Sequence, residues 1–402
     1  MPNVLPSQRP PRHLAIVTAP LHYRWQERIW SYGPYARELD QWARWFERIT
    51  LVGPVRDEAP PEDATPLEAA HFDLQAIPLT GGPSITAKAL QMLRVPELLA
   101  RLATACRSAD AVHVRGPANL CLLSTLIAPW LNRPMVAKYA GQWSAYPGER
   151  PLVAWQRRLL RERFPGPVMV YGKRDDDPDH IVDFFTSMMS RDQVEQALRQ
   201  THQHRFHDPL RLLFAGRLYL GKGLLELIEA CGRLRRDGSG VQLRVVGDGP
   251  LGASAKARVA QLGLEDSVEF VGAVPYAESL AEMTRADVLV LASAHEGWPK
   301  VLTEAMVHHT LCVAPRGGIM GRLLDGRGVH LDGTDSASIE HGIRRVLDEP
   351  DRWQAHLEDA AAWASRFSLE GLGDAIGDLL RDRWKTDLAN SPSENHAFSS
   401  DR

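Results

Sequence analysis

At 402 residues the chain is long for one hydrophobic core, since single cores rarely grow past roughly 250–300 residues, and it suits two. With 44% hydrophobic and 24% charged residues it is no disordered chain, and a formal net charge of −3 excludes a dedicated nucleic-acid binder, which carries a basic excess. The apolar run Leu14-Ala15-Ile16-Val17 is too short for a signal peptide, and no stretch approaches the ~20 apolar residues of a membrane-spanning helix, so a cytoplasmic protein is expected.

In chain order, the first dozen residues are rich in Pro and Arg and read as loose. Leu14–Thr18 reads as a buried parallel strand, because it is a short apolar run without alternation. A helix is predicted over Tyr35–Phe46, then strands at Ile49–Val52, Ala111–Val114 and Met135–Lys138. Tyr171–Pro178, with Asp175-Asp176-Asp177, reads as a solvated loop between the halves, and Val194–Arg205 as a helix leading to the boundary. The second half alternates more cleanly: strand Leu212–Ala215, helix Leu224–Arg235, strand Leu243–Val246 ending in Gly247-Asp248-Gly249-Pro250, helix Ala253–Leu262, strand Val268–Val271, helix Ala277–Thr284 and strand Val288–Leu291. This predicts an α/β protein of two Rossmann-like, doubly wound domains, each with a parallel sheet covered on both faces. The expected divisions are 1–190, a linker 191–209, 210–365, a helical segment 366–389 packing back on the first domain, and a disordered tail 390–402. Cys106, Cys121, Cys231 and Cys312 form no CxxC pair and are expected as buried, reduced thiols.

The sharpest chemical signal is the segment from Glu296 to Ala305, which follows a strand and opens a helix, with Pro299 suited to the first helical position. Free amides converge at such a helix start, and Gly297, Trp298, Lys300 and Val301 can donate where Pro299 cannot. Glu304 falls in the second helical turn with its carboxylate expected free for hydroxyl groups. If both were helical, Glu296 and Glu304 would lie about 12 Å apart, beyond the roughly 5–9.5 Å of a glycosidase acid–base pair. Two carboxylates holding different parts of one long ligand fit better. A second segment, Gly216-Arg217-Leu218-Tyr219-Leu220-Gly221-Lys222-Gly223, also joins strand to helix; Arg217 offers a planar fork of donors and Lys222 a point charge for phosphate oxygens. It lacks the P-loop spacing.

Together, from about Leu210 to Phe367, these segments resemble the family 4 retaining glycosyltransferases (glycosyl transferases group 1), which have the GT-B fold of two Rossmann-like domains facing each other across a cleft. The resemblance rests on Glu296 and Glu304 with their Gly and Pro, the Gly216–Gly223 loop, the Gly247–Pro250 turn and Ala314-Pro315-Arg316-Gly317-Gly318. It implies that Arg217 and Lys222 bind the diphosphate of a nucleotide-sugar donor, near Gly216 and Gly247. It implies likewise that Glu296 and the nearby amides hold the transferred sugar, that Glu304 holds the ribose, and that the base lies against Val274 and Pro275. The first domain would bind a saccharide or lipid-linked glycan acceptor. No metal or other cofactor is expected, and no His/Cys/Asp cluster has metal-ligand spacing.

The first half departs from the family pattern: the loop after its first strand, Ala19–Arg24, lacks the usual Gly-Gly. Near the sugar's reactive face, either His113 or Arg115 could serve, because alternation puts both on one side of their strand. Tyr23–Trp30 and Trp155–Phe164 are aromatic and basic, and as amphipathic helices they would either pack on their own domain or bring the protein to the inner face of an anionic membrane. A nucleotide-sugar epimerase and a non-catalytic nucleotide-sugar-binding protein are the alternative functions.

Overall fold

The computed structural model describes residues 11–78, 85–200 and 205–385, with backbone alone for 85–93. The expectations for residues 1–10 and for the tail after Asn390 lie outside these residues. In chain order the strands are β1 (His13–Val17), β2 (His22–Trp25), β3 (Arg28–Tyr32), β4 (Arg48–Gly53), β5 (Val55–Arg56), β6 (Ala64–Pro66), β7 (Phe72–Ala76), β8 (Ala111–Gly116), β9 (Met135–Gln142), β10 (Val168–Tyr171), β11 (Ile181–Asp183), β12 (Leu210–Ala215), β13 (Val241–Val246), β14 (Val268–Gly272), β15 (Val288–Val290), β16 (Leu311–Pro315) and β17 (Gly328–Leu331). The helices that shape the cleft are α1 (Gly33–Ala43), α2 (Ile85–Ser108), α3 (Asn119–Ile127), α4 (Pro151–Arg163), α5 (Arg191–Arg199), α6 (Leu224–Arg236), α7 (Gly252–Leu262), α8 (Tyr276–Arg285) and α9 (Lys300–Val307).

Two parallel sheets carry the chain. The first runs β11-β10-β9-β8-β1-β4-β7 and the second β14-β13-β12-β15-β16-β17. β1 and β16 read as unbroken apolar runs because helices cover both faces of each sheet: Leu14–Val17 and all of Leu311–Pro315 are buried. In each sheet the chain winds outward on one side of its first strand and then returns to the other side. The order therefore reverses between β1 and β8 and between β12 and β15. Open α/β sheets bind ligands at such switch points, outside the carboxyl ends of the strands. The C-terminal helix Leu369–Trp384 lies on α1, where Trp45 donates to Gly373 O (2.8 Å) and Arg44 pairs with Asp374 at 2.7 Å.

Several elements differ from the sequence reading. Tyr23–Trp30 is no helix but the antiparallel hairpin β2–β3, turned at Gln26 and Glu27 with φ of 49° and 58°, part of a small sheet β5-β2-β3-β6. Positive φ at both turn residues matches the twist of a tight hairpin, and the β-branched and aromatic flanks favour strands. The helix expected over Val194–Arg205 is α5, Arg191–Arg199, which starts earlier because Ser190 and Gln193 form a reciprocal cap. The Asp175–Asp177 loop lies between β10 and β11 inside the first sheet, not between the halves. Asp177 is buried, accepting from Trp143 Nε1 (2.7 Å), Arg161 Nε (2.8 Å) and the Arg174 amide (2.9 Å), so it braces the loop instead of facing solvent. All four cysteines are buried and free.

Candidate active site

The loops that carry Arg217, Lys222 and Glu296 sit at the switch point of the second sheet, while Gly247 follows β13 and Val274 follows β14. The loop Gly216–Gly223 leaves β12 and enters α6; the segment Ala292–Pro299 leaves β15 and enters α9. These strands are neighbours, so the two loops meet. Lys222 Nζ donates to Glu296 Oε1 at 2.5 Å. Arg217 lies with its guanidinium 5.5 Å from the ring centre of Tyr219 and 6.0 Å from that of Tyr32, at the end of the β2–β3 hairpin on the other side of the cleft. Both rings lie within cation–π range of the guanidinium. Gly247, at φ 130°, closes the floor: a Cβ there would stand 2.0 Å from the Gly216 carbonyl oxygen, so only glycine lets the two turns pack.

The Glu296–Glu304 segment is anchored from both halves. The Trp298 ring is buried among Phe367 (5.1 Å), Tyr171 (5.9 Å) and Phe185 (6.1 Å), which leaves only its backbone for a ligand. A Cβ on Gly297 would lie 2.6 Å from the Ala140 carbonyl oxygen at the end of β9, so glycine is what lets this loop approach the first sheet. Pro299 is the N-cap, not the first helical residue: its ψ is 81° and its carbonyl accepts from Leu302 N at 2.9 Å. Lys300 N is spent on Trp298 O (3.0 Å), which removes one expected donor and leaves the amides of Gly297, Trp298 and Val301. The Lys300 side chain is held below its ordinary pKa by burial, against the pull of Glu304.

Glu304 is buried in the second turn of α9 and is not free. It accepts from Tyr276 Oη at 2.9 Å, and Arg37 from α1 lies 5.0 Å over that tyrosine ring. Burial raises the Glu304 pKa, while the tyrosine hydrogen bond and Lys300 work the other way. One carboxylate oxygen is thus committed to Tyr276 in this state. Val274 is half-buried beside Tyr276 in the β14–α8 loop.

At the first sheet's switch point the structure separates His113 from Arg115. His113 is wholly buried against Trp42, ring centres 4.3 Å apart, with no partner for either nitrogen among the described residues, and burial pushes its pKa down to about 3. Arg115, with its side chain 18% exposed, stacks on Tyr35 (4.2 Å) and donates to Glu38 Oε1 at 2.8 Å. Its partner across the strand pair is Lys138, whose Nζ lies 3.1 Å from Glu38 Oε2. Two cations side by side need this buried carboxylate. Burial opposes the Glu38 charge, but Arg115 and Lys138 together hold it at about 2, while burial lowers Lys138 to about 8. Of the two candidates, Arg115 is the one with a polar group at the cleft.

Sequence reasoning missed Glu38, Lys138, Tyr276 and Tyr32. A signal existed for two of them: Glu38 interrupts the Tyr35–Leu39–Trp42 apolar stripe of α1, and Lys138 the apolar run Met135–Ala140 of β9. Among the described residues no group of three or more His, Cys, Asp or Glu side chains is placed to hold a metal ion, and no helix is long and apolar enough to cross a membrane.

Residues 196–363 match the family described as Glycosyl transferases group 1. An alpha-D-kanosaminyltransferase of Streptomyces kanamyceticus is 26% identical over 293 residues, 67% of this chain and 76% of that protein. A 2-deoxystreptamine glucosyltransferase of the same organism is 35% identical over 165 residues, which is 39% of this chain and 41% of the relative's length. Among solved structures, that of Anabaena Alr3699/HepE in complex with UDP superposes with a TM-score of 0.64 at 18% identity, covering 92% of this chain and 100% of the other. The two parallel sheets and this superposition give the chain the GT-B architecture.

Proposed function

We propose, from the premise that this chain carries a glycosyl transferases group 1 domain and is a glycosyltransferase of the GT-B fold, that it moves a hexosyl unit from a nucleoside-diphosphate sugar to a hydroxyl of a saccharide or lipid-linked glycan, with retention of configuration. A UDP-sugar is favoured over a GDP-sugar, and a structural neighbour that holds UDP supports this. The observation that carries the reading is the meeting of Arg217, Lys222 and Glu296 at the carboxyl ends of β12 and β15, below the start of α9.

In this reading Arg217 and Lys222 take the diphosphate. Lys222 exchanges the Glu296 carboxylate for phosphate oxygens, which frees Glu296 to accept from the sugar's hydroxyls beside the amides of Gly297 and Trp298. Negative charge grows on the departing diphosphate, and fixed cations in a site shielded from water stabilise it most where it develops. No metal is called on. Glu304 accepts from the ribose, sharing its carboxylate with Tyr276. Arg115 faces the sugar or the incoming hydroxyl from the first half, and the departing phosphate oxygen takes the acceptor's proton.

A thermal-shift screen of UDP-, GDP-, ADP- and TDP-sugars, followed by acceptor trials and product analysis, tests the proposal. Stabilisation by one donor and acceptor-dependent release of its nucleoside diphosphate are expected. Conversion of the donor without acceptor would make the chain an epimerase, and binding without turnover a non-catalytic binder.

A further inference from the structure

The first sheet's helices leave an apolar surface that its core does not use. From Asn119 to Trp130, through α3 and the 3-10 turn Ala128–Trp130, twelve residues pass without a charged side chain. Cys121, Ser124 and Ala128 face inward, while Leu126 is 39% and Trp130 71% exposed. α3 follows β8 and α4 follows β9. Because successive right-handed crossovers step the same way across the sheet, the two helices lie side by side on one face. Gln156 ties them, its side-chain amide bonding both the N–H (3.1 Å) and the carbonyl (2.9 Å) of Ala118. Of the apolar residues in the stretch Trp155–Phe164, Leu159, Leu160 and Phe164 turn into the core and Trp155 stays at the surface. Leu152 and Trp155, one turn apart, are exposed at 46% and 44%.

Charge selects what can cover this face. Between Pro117 and Phe164 there are six arginines against two acidic residues, Glu149 and Glu162, in a chain whose net charge is −3. Arg157 pairs with Glu149, Arg158 with Glu162, and Arg161 with Asp176 and Asp177. Arg133, Arg150 and Arg163 are exposed, and no carboxylate pairs with them among the described residues. A second copy of the chain, meeting this face with its own, would bring like charges together. An anionic lipid surface instead offers each arginine a phosphate and gives Trp and Leu an interfacial layer to enter.

We propose that the α3–α4 face docks the protein on an anionic membrane, with Leu126, Trp130, Leu152 and Trp155 in the headgroup layer and Arg133, Arg150 and Arg163 on lipid phosphates. The loop before α4 links this face to the donor site: Tyr146 packs on His295, ring centres 4.2 Å apart, one residue before Glu296. Resting on the glycosyltransferase reading, the docked face fixes the acceptor class as a lipid-anchored glycan presented from that surface.

The test is flotation of the full chain with vesicles of phosphatidylcholine alone and of phosphatidylcholine mixed with phosphatidylglycerol, at low and high salt. The wild type, the double variant Trp130→Ser/Trp155→Ser and the triple variant Arg133→Gln/Arg150→Gln/Arg163→Gln are compared, with stabilisation by UDP measured on each. The expected result is flotation only with phosphatidylglycerol, weakened by salt, and a tenfold or greater loss in both variants while their response to UDP is unchanged. Absence of flotation at low salt, or variants that float like the wild type, would overturn the docking surface. A dimer in size-exclusion chromatography that the tryptophan variant abolishes would assign the face to a second copy instead. Flotation by a wild type that does not respond to UDP would leave docking standing and count against the donor site.

Discussion

Lys222 and Glu296 are joined by a 2.5 Å ion pair across 74 residues of sequence, one on each side of the switch point of the second sheet. The pair ties the two loops together, and in the proposed reaction it is the contact that a donor must replace. Under the proposed donor role, Lys222→Ala removes both a phosphate ligand and the brace on Glu296. Turnover, measured as nucleoside-diphosphate release, is expected to fall about 100- to 1000-fold, the usual cost of losing a group that stabilises developing charge.

Glu304 gives a prediction with opposite signs for stability and function. Its folded pKa is raised by burial, so the native state binds its proton more tightly than the unfolded chain does. Native stability then falls as pH rises above the usual carboxylate range. Glu304→Gln is expected to raise the melting midpoint at pH 7 by a few degrees, a gain that vanishes below about pH 4, where both states are protonated. The same variant should bind nucleotide sugars more weakly. Melting curves across pH, with and without donor, read both effects.

Glu38 runs the other way. Despite burial, Arg115 and Lys138 hold its carboxyl at about 2, so its contribution is fully present above the usual carboxylate range and is lost as pH falls toward 2. Glu38→Gln strands the buried Lys138 beside the part-buried Arg115 and should cost about 3–5 kcal/mol in denaturant unfolding at neutral pH. Its acid unfolding curve should be flatter than that of the wild type. Arg115→Lys, which keeps the charge and loses the planar stack on Tyr35, tests whether the cluster serves the reaction: a changed kcat with an unchanged melting point is expected.

Gly297→Ala probes the contact between the halves. Its backbone is not in the left-handed region, so the cost is steric: the new methyl meets the Ala140 carbonyl at 2.6 Å. The loop must move away from β9, taking the Trp298 amide with it. A displacement of about 1 Å in a positioning group can cost on the order of 100-fold in rate, so kcat/KM should fall well beyond what a modest drop in melting point explains.

How much of this was legible in the sequence depended on which contacts are local. The second half could be read because its site is built from strand ends and the loops that follow them, so Arg217, Lys222, Glu296 and Glu304 stand in recognisable strand–loop–helix contexts. Their partners could not be read. Tyr276 reaches Glu304 from the preceding helix, and Tyr32 reaches Arg217 from a hairpin in the other half. The hairpin itself was misjudged because a turn of Gln26 and Glu27 carries no glycine, asparagine or aspartate to mark it. The choice between His113 and Arg115 needed depth, which alternation along one strand does not give: His113 lies under Trp42, and Arg115 lies two residues nearer the strand end.

The most direct measurement for the whole account is isothermal titration of UDP into the wild-type protein and into Arg217→Ala and Lys222→Ala, each checked for an unchanged melting point. The donor site as described predicts saturable one-to-one binding by the wild type and at least a tenfold weaker affinity in both variants. UDP binding of equal strength in all three proteins would contradict it.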